Sequence, residues 1–162
     1  MRALRLNHVS IPSPDVDASA RWWQEVFEME ELPSPNFGFP VRWLRLGDLE
    51  LHFFASEGPP EPGQHFGIEV DDYEEAYRRL KALEARDEGS RFAFVYELPG
   101  GEAQMYFRDP FGNLVEIDHP DLSSLDRSVF GDDLKVLADE APQDEENLRA
   151  RLFLEPRATS RV

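Results

Sequence analysis

Two stretches of the chain open on histidine and then proceed alike: HVSIPSPDVDASARWW from His8 and HFGIEVDDYEEAYRRL from His65. Aligned without a gap, Asp15 meets Asp72, Arg21 meets Arg78 and Trp23 meets Leu80. Imidazole is both a metal ligand and a proton carrier near neutral pH, so the repeated histidine is the first place to look for chemistry. The sequence has no cysteine, no nucleotide-binding loop and no serine-protease signature. Thiolate catalysis and thiolate metal sites are excluded, and a metal site here has to be built from His, carboxylate and water.

Strand alternation decides which side chains can meet. Apolar and polar residues alternate from Leu4 to Ile11 and from His65 to Val70, the period of a half-buried strand. If Val9 and Ile11 face a helix, His8 and Ser10 face the other way. The same reasoning sets His65 and Gly67 opposite Phe66, Ile68 and Val70, and sets Glu50 and His52 opposite Leu49, Leu51 and Phe53. It leaves Glu116 with Leu114 and Asp118 opposite Val115 and Ile117. Four strands thereby bring potential ligands to one face. Two imidazoles and a carboxylate converging on a concave sheet are costly to bury unpaired, whereas a divalent cation satisfies them together.

Each of these strands needs a helix behind it. Val16, Ser19/Ala20, Trp23 and Val26/Phe27 form one helical stripe, and Tyr73, Ala76/Tyr77, Leu80 and Leu83 form another. Asp72 caps the second helix, with Glu75 three residues on, and Gly89 is placed to end it. Further strands are expected at Glu30 to Leu32, Val41 to Leu46, Leu49 to Phe54, Phe92 to Glu97, Ala103 to Arg108 and Asn113 to Asp118. The Pro/Gly-rich SEGPPEPGQ breaks regular structure. The expected organisation is a first βαβββ module at 1–55, a linker at 56–64, a second module at 65–119 and an acidic extension at 120–162. Within that extension two helices are expected, around Asp132 to Leu137 and Asp144 to Leu152.

The 162 residues suffice for one domain or two halves sharing a core, and a 41% hydrophobic content with 12 Phe excludes a disordered chain. Seventeen basic against 33 acidic residues give a net charge of −16, which repels nucleic acid and anionic membrane surfaces. No apolar run approaches the length of a membrane helix, and the N-terminus does not read as a secretion signal. A cytoplasmic protein acting on a small molecule is expected.

LNHVSI, LELHFF, QHFGIEVDD and MYFRDPFGNLVEI together resemble the vicinal oxygen chelate superfamily, which groups glyoxalases, bleomycin-resistance proteins and extradiol dioxygenases. The last is the most specific: an aromatic strand, the turn Asp109-Pro110-Phe111-Gly112-Asn113, and the strand carrying Glu116. The resemblance implies an α+β fold in which two βαβββ modules form a cup-shaped, partly closed mixed sheet with helices on its outer face. It implies His8, His65 and Glu116 as metal ligands, with Glu50 as a fourth in the glyoxalase-like members. His52, one pleat further on, is the competing residue; in the three-ligand members either residue would instead contact substrate or a ligand.

The implied cofactor is a divalent ion, Mn, Ni, Zn, Co or Fe(II), and the implied assembly a homodimer. The leading expectation is a glyoxalase-like isomerase or lyase acting on a small oxygenated substrate, with Glu50 or Glu116 moving protons. The alternatives are an extradiol-type dioxygenase, a fosfomycin-type thiol transferase with Ser10 and Tyr106 at the substrate, and an acidic drug-binding protein without catalysis. Arg108, on the Tyr106 face, is a candidate for holding an anionic group.

Overall fold

The computed structural model describes residues 5–87 and 93–153. Its strands form two mixed sheets, neither of them closed into a barrel. The first contains β1 (His8–Ser13), β2 (Glu31–Leu32), β3 (Val41–Leu46) and β4 (Leu49–Ala55) in the order β1-β4-β3-β2. The second contains β5 (His65–Glu69), β6 (Val95–Glu97), β7 (Ala103–Arg108), β8 (Leu114–His119) and β9 (Leu134–Val136) in the order β5-β8-β7-β6-β9. First, fourth, third, second: the strand order repeats, as the paired histidine stretches predict. Among the described residues no helix is long and apolar enough to cross a membrane.

The chain divides into two compact units. One holds the described residues up to Phe66 together with Arg79–Arg86 and Phe107–Val115. Here α1 (Val16–Phe27) packs on β3 and β4, its stripe anchored by Trp23. That indole is fully buried, with ring centroids 5.1 Å from Phe27, 5.8 Å from Phe107, 6.2 Å from Phe66 and 6.4 Å from Phe53. Asp15 starts α1 by accepting the Ala18 N–H at 2.9 Å, and Glu28 ends it with φ 55°.

The other unit holds Gly67–Arg78, the described residues from Asp87 to Tyr106, and those from Glu116 onward. Tyr73 and Tyr77 meet Phe130 edge-on at 5.9 and 5.1 Å. The Tyr77 hydroxyl donates to Asp133 at 2.6 Å, so the extension is built into this core. The helix expected at Asp132 to Leu137 is instead β9, paired parallel to β6, followed by the short α3 (Leu137–Glu140). Backbone pairing along an otherwise open edge satisfies more groups than one free helical turn. The helix expected at Asp144 to Leu152 shrinks to a 3-10 turn at Asn147–Arg149.

Other boundaries move as well: β4, β5 and β8 each shift by one residue, and β1 and α2 by more. β1 begins at His8 and runs to Ser13 because its partner β4 runs from Leu49 to Ala55 in parallel register. Helix α2 (Tyr73–Ala82) starts where expected, with the Glu75 N–H donating to Asp72 at 2.8 Å, but ends well before Gly89, which lies outside the described residues. Glu84 takes φ 53°, Ala85 N–H reaches Leu80 O at 3.0 Å and Glu84 N–H reaches Lys81 O at 3.1 Å. This pair of bonds closes a helix at a left-handed residue, here without glycine.

The turn joining β7 to β8 is held from inside. The buried Asp109 carboxylate accepts the Phe111 N–H at 3.0 Å, the Asn113 N–H at 2.9 Å and the Asn113 Nδ2 at 2.8 Å. Gly112 supplies the positive φ of 87°. The Asn113 amide also donates to Pro12 O at 3.0 Å, tying the turn to β1. Burial pushes the Asp109 carboxyl up, and the hydrogen bonds from Asn113 and Phe111 pull it back. Asp109→Ala orphans three donors and is expected to cost about 3 kcal/mol, read as a lower urea midpoint. Asp109→Asn, which keeps an acceptor, should cost less; equal losses in the two variants would mean that the hydrogen bonds are not what holds the turn.

Candidate functional site

In the first unit the register of β1 against β4 sets His8 beside Glu50 and Ser10 beside His52. Paired residues share a face, and the opposite face of these strands carries the buried Ile11, Leu51 and Phe53. Antiparallel β3 adds Trp43 beside His52 and Arg45 beside Glu50. The His52 ring is sandwiched, with its centroid 4.5 Å from His8 and 4.2 Å from Trp43, the latter pair only 6° from parallel. Its Nε2 meets Glu50 Oε2 at 2.7 Å.

The tautomers of the two repeated histidines follow from their partners. His65 Nδ1 lies 2.9 Å from Gly63 O, and His8 Nδ1 lies 2.8 Å from Asn7 Oδ1. Both oxygens only accept, so each Nδ1 is the donor of its contact. An outer oxygen on Nδ1–H is the usual arrangement behind a metal-ligating imidazole, because it fixes the ring and raises its basicity.

In the second unit the carboxylates lie along β8, with Glu116 and Asp118 both buried. Gln104 on β7 donates one hydrogen bond to Glu116 Oε1 and another, of 3.0 Å, to the Tyr106 hydroxyl. Asp118 is pushed up to about 8, first by burial, then by its hydrogen bond with Glu116, then by repulsion from Glu116 and Glu69. Its Oδ1 has no partner. Gly67 leaves room for this carboxylate, since a Cβ there would stand 2.7 Å from Asp118 Oδ2.

In the second unit two packed acids with an orphaned buried oxygen suit a cation, and in the first unit two imidazoles whose Nδ1 faces an oxygen are of ligating type. In chemical type the donor set therefore fits a divalent ion. Among the described residues no group of three or more His, Asp or Glu side chains is gathered to hold one as the structure stands.

The first unit also contains a cavity of about 310 Å³, whose walls include Ser10, Pro12, Phe54 and His65 along with the linker residues Pro59 and Pro60. Of the predicted residues, then, His8, Glu50 and His52 meet one another. Ser10 and His65 share the cavity, and Tyr106 and Glu116 share Gln104. Arg108 does not line the cavity: its guanidinium donates to Gly112 O at 2.7 Å and braces the turn.

The sequence model of the Glyoxalase/Bleomycin resistance protein/Dioxygenase superfamily matches residues 5–117. The chain belongs to this superfamily. Solved structures with the superfamily's fold resemble it along most of their length. Oxidase ChaP-H1 is 28% identical with a TM-score of 0.56, over 72% of this chain and 95% of that one. A lactoylglutathione lyase from Agrobacterium tumefaciens is 22% identical with a TM-score of 0.55, over 73% and 95%. The fosfomycin resistance protein FosX from Listeria monocytogenes is 20% identical with a TM-score of 0.58, over 75% and 98%. No curated protein sequence matches significantly.

For this superfamily member, sequence reasoning did not single out Asn7, Gly63 or Gln104, the residues that orient the candidate ligands. Gln104 was within reach, because it stands two residues before Tyr106 and so shares its face. Asn7 and the Gly63 carbonyl leave no periodic trace.

Proposed function

We propose that this chain is a divalent-metal-dependent enzyme of the glyoxalase-like isomerase or lyase type, acting on a small substrate with two neighbouring oxygens. His8, His65 and Glu116 are its ligands, with Glu50 as a fourth. The observation that carries this reading is the matched pair of imidazoles, each at the head of the first strand of its sheet, with Nδ1–H donated to an oxygen. A bound ion would supply Lewis acidity to the chelated oxygens.

The chain's own residues do the rest. Asn7 and Gly63 hold the two rings in the ligating tautomer. Gln104 aims the Glu116 carboxylate. Glu50 carries a proton to or from the carbon beside the chelated oxygens, and His52, in contact with its Oε2, feeds or drains that proton. Ser10 faces the substrate from the cavity wall. A homodimer in the cytoplasm belongs to the same reading; mass in solution and cell fractionation test it. The central test is titration of chelator-stripped protein with Mn, Ni, Zn, Co and Fe(II), where one ion per chain is expected and failure to bind any of the five overturns the proposal.

The His52 contact favours a second reading. A carboxylate already bonded to an imidazole can serve beside the metal instead of on it, leaving the three-ligand set of a dioxygenase-type site. If Glu50 is a ligand, Glu50→Gln lowers metal affinity by about a hundredfold and His52→Ala by about tenfold. Unchanged affinity in both variants selects the three-ligand reading.

A further inference from the structure

The cavity beside His65 has a wall chemistry that bears on what the site accepts. Its apolar surface comes from residues such as Pro12, Phe54, Pro59 and Pro60, and its hydroxyl and amide groups from Ser10, Ser56 and Gln64. Among the described lining residues there is one acid, Glu61, and no Lys or Arg. Asn113 also lines it, but its amide is held by Pro12 O and Asp109. Three arginines of the same unit are engaged elsewhere: Arg42 with Asp17 at 2.6 Å, Arg45 with Glu30 at 3.0 Å, and Arg108 with Gly112 O.

Away from the proposed ion, an anionic group in this space would lose water and gain no opposite charge from the lining side chains, which is unfavourable. It would also approach a chain of net charge −16, whose field repels anions and attracts cations. The volume lies at the lower end of the roughly 300–1,000 Å³ range of small-molecule sites, enough for a one-ring compound.

We infer that the cavity receives a small substrate that is neutral or cationic, and that its side chains select against phosphonates and carboxylates. This deepens the proposed function by naming its substrate class, and it rests on that reading only for the placing of the two chelated oxygens near His65. The linker thereby acquires a role beyond spacing: Pro59 and Pro60 form the apolar wall and Glu61 sets the sign of charge admitted.

Three catechols of similar size isolate the charge: dopamine as the cation, 4-methylcatechol as the neutral compound and 3,4-dihydroxyphenylacetate as the anion. Binding is measured by chemical-shift titration of isotope-labelled protein, metal-stripped and metal-loaded, following His65, Gln64 and Ser10. Dopamine and 4-methylcatechol should bind, and the anion should be weaker than dopamine by about tenfold or more. In Glu61→Gln the preference for dopamine over the anion should shrink about threefold. Equal or tighter binding of the anion, or no shifts at the cavity residues with any of the three compounds up to millimolar concentrations, overturns the inference. A parallel metal titration separates the two claims. Normal metal binding with a reversed charge order removes only the substrate class, whereas the expected order in a protein that binds no metal removes only the metal-centred reading.

Discussion

His65→Ala is expected to lower affinity for a divalent cation by at least about a hundredfold, close to 3 kcal/mol, and to abolish turnover at ordinary metal concentrations. The ring is exposed and its Nδ1 meets a carbonyl only two residues away, that of Gly63, so the fold has little to lose. Melting of the metal-free variant should therefore stay close to wild type. A purely structural histidine would give the reverse pattern, with lowered stability and unchanged metal affinity. Gly63 offers a finer test. Its φ is 77°, a conformation that resists a side chain, so Gly63→Ala should displace the carbonyl that holds His65 Nδ1 and weaken metal binding by about tenfold without deleting a ligand.

The second large effect concerns Asp118. An acid whose folded pKa stands near 8, against an unfolded value near 3.9, holds a proton in the native state that the unfolded chain has released. Between those values the native state binds more protons, so stability falls as pH rises from about 4 to about 8. Asp118→Asn keeps the shape and removes the charge. In metal-free protein it should be neutral near pH 4 and stabilising by on the order of 2 kcal/mol at pH 8, after allowance for solvent screening of the pair. Urea denaturation of both proteins at pH 4.5, 6 and 8 measures it. Asp109, raised in the same direction by burial, adds a slope of the same sign to both proteins, and the exposed Asp121 and Asp126, lowered by their Ser123 and Ser128 hydrogen bonds, add the opposite sign. Subtracting one curve from the other isolates Asp118, and parallel curves would refute the buried-acid account.

What could be read in advance follows from the reach of each interaction. Strands β3 and β7 were legible to the residue because each runs into a tight hairpin turn and is rich in bulky strand-forming residues. The sharing of a face by His8, Glu50 and His52 required only the two-residue period. Other features depend on distant partners. The extent of β1 is set by β4, and the helix expected in the extension became β9 because β6 offered it an open edge. Three residues, Leu134 to Val136, are too few for periodicity to distinguish strand from helix. Similarly, nothing local indicates that Asn7 would fix a tautomer or that Asp118 would be left with an orphaned oxygen.

The most diagnostic stretch of the chain, DPFGN, turns out to be a clasp: Asp109 gathers its neighbours and Asn113 reaches across to Pro12. Its inheritance is therefore governed by architecture. A descendant that lost both imidazoles would still need the clasp to assemble, so recognising it in a genome identifies the scaffold and leaves the presence of chemistry to be judged from the histidines.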